Sequence, residues 1–416
     1  MEQREDLLKQ FHTELRNSKG KIVVFLGAGS SFDYGIPTMK EMAEILIRDI
    51  KADQSKCGMS KGSLSLLSRI TGINKGEELK TPEWNIEQLI SRLHQIKEAI
   101  ISGGTYFVPI DASIEKQNLD RLEIEKTEEE LIQFMANLCS FKACEFTNHG
   151  NKSIAYIADF LQILSSFQNM LKIFTTNIDV CLEAAVVRLG HQSRNKKHKD
   201  FLLIDGFASG PIQKFDIKNY LLQQPTGQPK MFPIFLWKLH GSIDWTFSLP
   251  FDGVEQAKGD KDGKIKFRDD AIICRQIEGD TWNSFHKAEA LTLDNESKKD
   301  KIIIFPTPDK YFQTYSNPYI DLYESFRREL EMENTQVIIA IGTSFPDQHI
   351  RSAFKSFINR ENTSLYIVDP DTSLTQERLI ELFGSSTGIH PVINMGFKEF
   401  VGKLRDVEEL RSEEGE

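Results

Sequence analysis

The chain has 416 residues, 40% of them apolar and 27% charged, and a formal charge of −10. That length supports a large core in one elaborated domain or two ordinary ones. The negative balance argues against a nucleic-acid-binding surface spread over the whole molecule, and no uninterrupted apolar run approaches the roughly 20 residues a bilayer span needs.

The opening stretch MEQREDLLKQFHTEL (1–15) is charged and amphipathic without a signal-peptide core, so the expected compartment is the cytoplasm. KIVVFLGAG (21–29) is a near-continuous apolar run that breaks into glycines, as a buried parallel strand does. MKEMAEILIRDI (39–50) has helical spacing. Residues 51–153 then depart from the strand–helix rhythm with patterns such as NIEQLISRLHQIKEAI (85–100) and TEEELIQFMANLCSF (127–141). They read as a helical insertion after the first βα unit.

YIADFLQILSSF (156–167) is a helix and LKIFTTN (171–177) a second buried strand. The basic loop SRNKKHKD (193–200) reads as a solvated segment, with a partner contact as the alternative. FPIFLWKLHG (232–241) is a third strand. Residues 247–299 carry an Asp-Gly pair among alternating residues and suggest a small inserted hairpin. KIIIFPTP (301–308), VIIAIGTSF (337–345) and SLYIVDP (364–370) complete the strands, with the helix PYIDLYESFRREL (318–330) between the first two.

Strands alternating with helices predict a Rossmann-like, doubly wound parallel sheet. The expected organisation is one domain over 1–408, with core segments 19–50, 154–246 and 300–408. Residues 51–153 and 247–299 would be its helical and hairpin insertions, and 409–416 an acidic tail.

The five cysteines, at 57, 139, 144, 181 and 274, form no C-x-x-C pair, so neither a disulfide framework nor a zinc ribbon is expected, and no metal ligands are assigned. Gly27-Ala28-Gly29 fits a strand-to-helix turn that offers backbone N–H groups to a phosphate. A P-loop is excluded, because Gly35 is followed by Ile36 and Pro37 with no lysine. The dehydrogenase fingerprint is excluded too, because position 32 is Phe where its third glycine belongs. On the glycines alone, a tight turn explains the sequence as well as a phosphate cradle.

Three further strand ends add chemistry. Asn177-Ile178-Asp179 follows one strand, His240-Gly241 another, and Gly342-Thr343-Ser344 a third. In a parallel sheet the carboxyl ends share one edge, where ligands sit.

Together these four motifs, in this order, resemble the sirtuin family: Gly27-Ala28-Gly29-Ser30-Ser31 with Gly35-Ile36-Pro37, then Asn177-Ile178-Asp179, His240-Gly241 and Gly342-Thr343-Ser344. The resemblance covers the strands between roughly 20 and 405. It departs from sirtuin deacylases at Thr38-Met39-Lys40, at the Phe-Pro-Asp-Gln-His that follows Ser344, and in the absence of a four-cysteine zinc module. With its long helical insertion and KLHGSIDW (238–245), the chain resembles instead the prokaryotic sirtuin-like NAD-hydrolysing proteins of anti-phage defence, some of which act with a HerA-type ATPase. The resemblance implies NAD+ as substrate, no zinc, and hydrolysis to nicotinamide and ADP-ribose. The chain ends soon after 408, so a separate partner is expected in place of a built-in sensor.

On that footing Gly27, Ala28, Gly29 and Ser31 would cradle the pyrophosphate. Asn177 would bind the nicotinamide ribose and position water, Asp179 would face the carboxamide or its ribose, and His240 would be the general base. Gly342, Ser344 and Asp369 would hold the adenosine half. Simpler readings stand beside these: an Asx cap for Asn177 and Asp179, a structural histidine at 240, and a helix start for Asp347. Rival functions are an NAD-dependent protein deacylase and a non-catalytic NAD- or ADP-ribose-binding subunit. The stripe Ile86, Leu89, Ile90, Leu93 and Ile96 must be buried either on its own subunit or on a neighbouring copy, and a homo-oligomer larger than a dimer is expected.

Overall fold

The run Ile22–Leu26 (β1) is apolar on both faces of the pleat, and both faces are covered. Ile22, Val24 and Leu26 enter one core while Val23 and Phe25 enter another. The same division holds along the neighbouring strands. In Leu171–Thr175 (β2), Ile173 and Phe174 point to opposite cores, and in Val337–Ile341 (β9), Ile339 and Ile338 do.

The computed structural model describes residues 2–18, 21–73, 84–101, 121–140, 153–193, 200–207, 213–221, 231–248, 272–275, 301–303 and 318–413. Within them lies a six-stranded sheet in the order β10-β9-β1-β2-β5-β3, where β3 is Phe201–Ile204, β5 Phe232–Lys238 and β10 Ser364–Val368. Every pairing in it is parallel. This is the Rossmann-like sheet that the strand–helix alternation predicts, with the order reversing around β1. That reversal puts a crevice at the carboxyl ends of β1 and β9.

Helices cover both faces. Met39–Ala52 starts on a capping box in which the Thr38 hydroxyl accepts from the Glu41 N–H and the Glu41 carboxylate accepts from the Thr38 N–H. The described part of the helical insertion is Lys61–Thr71, Ile86–Ile101 and Arg121–Leu138. Its stripe is buried on its own chain: Ile86, Leu89, Ile90 and Leu93 are at most 2% exposed and share one core with Val24 and Ile173. Ile96 packs partly buried against the same core.

Three features differ from the sequence expectation. Lys301–Ile303 (β8) is not a strand of the parallel sheet but pairs antiparallel with Gly241–Ser248 (β6), because a short apolar run does not say which sheet it joins. β6 lies at the centre of a small second sheet, β4-β7-β6-β8, with Gln213–Lys214 as β4 and Ile272–Arg275 as β7. Phe201–Ile204 pairs along the edge of the main sheet, where no strand is predicted. The last helix, Phe397–Glu413, continues into the segment expected to be an acidic tail. The Asp-Gly turn of the hairpin and most of the basic loop lie outside the described residues.

Candidate active site

Five strands end in register. Leu26 is the lateral neighbour of Thr175 and of Ile341, Thr175 is that of Lys238, and Ile341 that of Val368. The sequence-predicted residues Gly27, Asn177, His240, Gly342 and Asp369 stand one or two positions beyond this row. The sheet therefore brings them to one edge.

The glycines at this edge serve close approach. Gly27 N–H donates to the Ile341 carbonyl and Gly29 N–H to the Gly342 carbonyl, each at 2.9 Å. A Cβ on Gly27 would lie 2.5 Å from the Gly342 oxygen, and one on Gly342 would lie 2.3 Å from the Ser30 nitrogen. Gly342 also has φ +64, which favours glycine. The turns after β1 and β9 thus interlock, and the two donors of Gly27 and Gly29 are spent inside the protein. Ala28, exposed at the tip, opens a 3₁₀ helix over Ala28–Tyr34, so its N–H has no intrahelical acceptor. Ser31 is buried and Ser344 exposed.

Asn177 is fixed from three sides. Its N–H donates to Thr175 Oγ1 at 2.9 Å, and its Nδ2 donates to Ser30 Oγ at 3.0 Å and Ser31 Oγ at 3.2 Å. Its Oδ1 is buried with no protein partner. An acceptor left so costs about 1–3 kcal/mol unless something donates to it. Asp179 does a local job: its Oδ1 accepts from Cys181 N–H at 3.0 Å, opening the helix Cys181–Ser193 as an Asx cap.

His240 is 6% exposed, and its Nε2 stands 3.7 Å from Asp347 Oδ2. The ring of His349 lies beyond, 6.3 Å away between centroids. Asp347 holds the N-cap position of the helix Gln348–Ile358, yet its side chain makes no capping bond there. Asp369, at the end of β10, is 9% exposed, and burial pushes its carboxyl above the usual range. The Asp371 N–H, which donates to it at 2.9 Å, pulls the other way. Burial, reinforced by the charge of Asp179, pushes the Cys139 and Cys181 thiols up, which keeps both protonated and unsuited to nucleophilic work.

The sequence reading missed a buried network directly behind these residues. Lys238, at the end of β5, donates to Glu183 Oε1 at 2.9 Å, to Ser242 Oγ at 2.7 Å and to the Asp179 carbonyl. A cavity of about 10 Å³, room for a single water at most, lies between Asn177 and this pair. The signal was present: Lys238 is the one charge in FPIFLWKL, and Glu183 the one acid in VCLEAAVV. A lone charge in an apolar run must find a partner. Asp347 was read only as a helix start, and Ser30 only as part of the glycine turn.

Residues 171–391 match the SIR2-like domain family, and the chain belongs to that family. The match spans β2 to the segment after β10 and includes Asn177, His240 and Gly342. Among solved structures, the chain is similar to the one titled "Structure of Sir2Tm bound to a propionylated peptide", at 12% identity and a TM-score of 0.38 over 97% of this chain and 98% of that chain. No curated protein matches it. Among the described residues, no helix is long and apolar enough to cross a membrane.

Proposed function

We propose that the protein hydrolyses NAD+ to nicotinamide and ADP-ribose. The observation that carries this is the pairing of Asn177 and His240 at the ends of adjacent parallel strands, beside the interlocked glycine turns. A protein that only bound a nucleotide would need no imidazole there. The unpartnered Asn177 Oδ1 fits a ribose hydroxyl, which would satisfy it.

NAD+ supplies a good leaving group, nicotinamide held through a cationic nitrogen. The residues of the chain do the rest. The Ala28 N–H donates to the pyrophosphate, and the glycines on either side let it come close. Asn177 orients the ribose and a water. His240 takes the proton that this water gives up as its oxygen bonds to the anomeric carbon and the nicotinamide nitrogen leaves with the bonding pair. Asp369 accepts from adenosine ribose hydroxyls, and Ser344 and Gly342 line that half.

The biological role proposed with it is depletion of NAD+ as the effector of an anti-phage defence system. Activity would be controlled by assembly with a HerA-type ATPase or with further copies of the chain, and would need no zinc. The stripe of Ile86–Ile101 is used within the subunit, so a homo-oligomer larger than a dimer must form through another surface.

The test is purified protein with NAD+, alone and with the ATPase, scored for nicotinamide release before and after chelation. Release that required an acyl-lysine peptide would favour the deacylase reading instead, and binding without release would favour the non-catalytic subunit.

A further inference from the structure

We propose that Lys238 and Glu183 are positioning residues of the site, their buried ion pair fixing the His240 turn against the Asn177 loop. The catalytic part of this rests on the hydrolase reading; the structural part does not. The side chains are 2% and 3% exposed, among the most deeply buried charges described. Burying such a pair costs several kcal/mol in lost hydration, and a hydrophobic pair of similar volume is often at least as stable. Stability alone therefore gives no reason for the pair. Its geometry does.

An ammonium has three donors, and here each goes to a different element. One reaches Glu183 on the helix after β2, one the Asp179 carbonyl in the loop carrying Asn177, and one Ser242 on β6, just past His240. Ser242 passes the link on, its hydroxyl donating to the Ile178 carbonyl at 3.2 Å. Two backbone bonds close the same gap: Leu239 N–H to the Thr175 carbonyl at 2.8 Å and Ile243 N–H to the Ile178 carbonyl at 2.9 Å. His240 therefore stands on a turn tied on both sides to the loop of Asn177. The tie at its centre is Lys238, whose own strand position is next to Thr175.

The experiment compares wild type with the double variant Lys238→Met/Glu183→Leu, which removes both charges together and leaves neither one orphaned. Ser242→Ala, which removes only the hydroxyl relay, is the milder second variant. Three quantities are read: thermal stability, the kcat and KM of nicotinamide release, and amide exchange in peptides spanning 236–246.

The double variant is expected to fold and to keep KM within about threefold. Its kcat should fall ~10–100-fold, the order expected when a reacting group is misplaced by about 1 Å. Amide exchange at Leu239 and Ile243 should quicken at least ~10-fold as the local opening free energy falls. Ser242→Ala should move in the same direction by less. A folded double variant with wild-type kcat overturns the positioning role, and unchanged exchange overturns the tie. A wild type that never releases nicotinamide contradicts the hydrolase reading, and the exchange measurement then decides the tie by itself.

Discussion

The carboxylate of Asp347 stands 3.7 Å from Nε2 of His240, and the two side chains are 9% and 7% exposed. A carboxylate that faces an imidazole holds the ring in place and offsets the positive charge a general base takes on as it accepts a proton. Asp347→Asn keeps a residue that caps a helix as well as Asp does, but removes the charge. Turnover should drop ~10-fold, less than the ~10²–10⁴-fold expected for losing the imidazole itself. The melting temperature should stay close to wild type. Steady-state kinetics beside a thermal melt check this, and an unchanged kcat would separate Asp347 from the chemistry.

Gly342→Ala tests the interlock of the β1 and β9 turns. The new Cβ would face the Ser30 nitrogen and the Gly29 backbone at 2.3–2.6 Å, where nothing can swing aside, and φ +64 strains any other residue. The expected loss is about 2–4 kcal/mol of stability, combining left-handed strain with overpacking. Denaturant unfolding reads it directly. Gly190→Ala, in the helix Cys181–Ser193 at a position where a Cβ meets nothing within 4 Å, is the control and should leave stability unchanged or raise it by up to about 1 kcal/mol.

Asp369 links binding to stability through pH. Burial holds its folded pKa above the unfolded value of 3.8, so the folded state holds the proton more tightly than the unfolded one. The carboxylate therefore costs stability at every pH above its folded pKa and costs nothing below about 3.8. Asp369→Asn should raise the melting temperature at pH 7.5, with the gain shrinking as pH falls towards 4, and should weaken NAD+ binding. Melts at the two pH values and isothermal titration check both halves. A gain over wild type no larger at pH 7.5 than at pH 4 would contradict the sign.

Much of this was legible in the sequence, and the parts that were not have physical reasons. β1, β2, β5, β9 and β10 could be read because each is apolar on both faces and stops at Gly, Thr, Asn or Asp, which also put the candidate residues on one edge. Lys301–Ile303 was misplaced because so short a run, a lysine and two isoleucines, looks the same in either sheet, and Phe201–Ile204 was overlooked because so short an edge strand leaves little periodicity. Asp347, Lys238 and Glu183 escaped for another reason. Their roles depend on contacts across the fold: His240 finds Asp347 only because β5 and β9 end on the same edge.

The central claim is that Asn177 and His240 carry out NAD+ hydrolysis. Its most direct test is nicotinamide release by wild type, Asn177→Ala and His240→Ala, each shown to be folded and assayed under the same activating conditions. The wild type should release nicotinamide from NAD+ without any acyl peptide, and each variant should lose ~10²-fold or more of that rate. Two folded variants with near wild-type turnover would contradict the account.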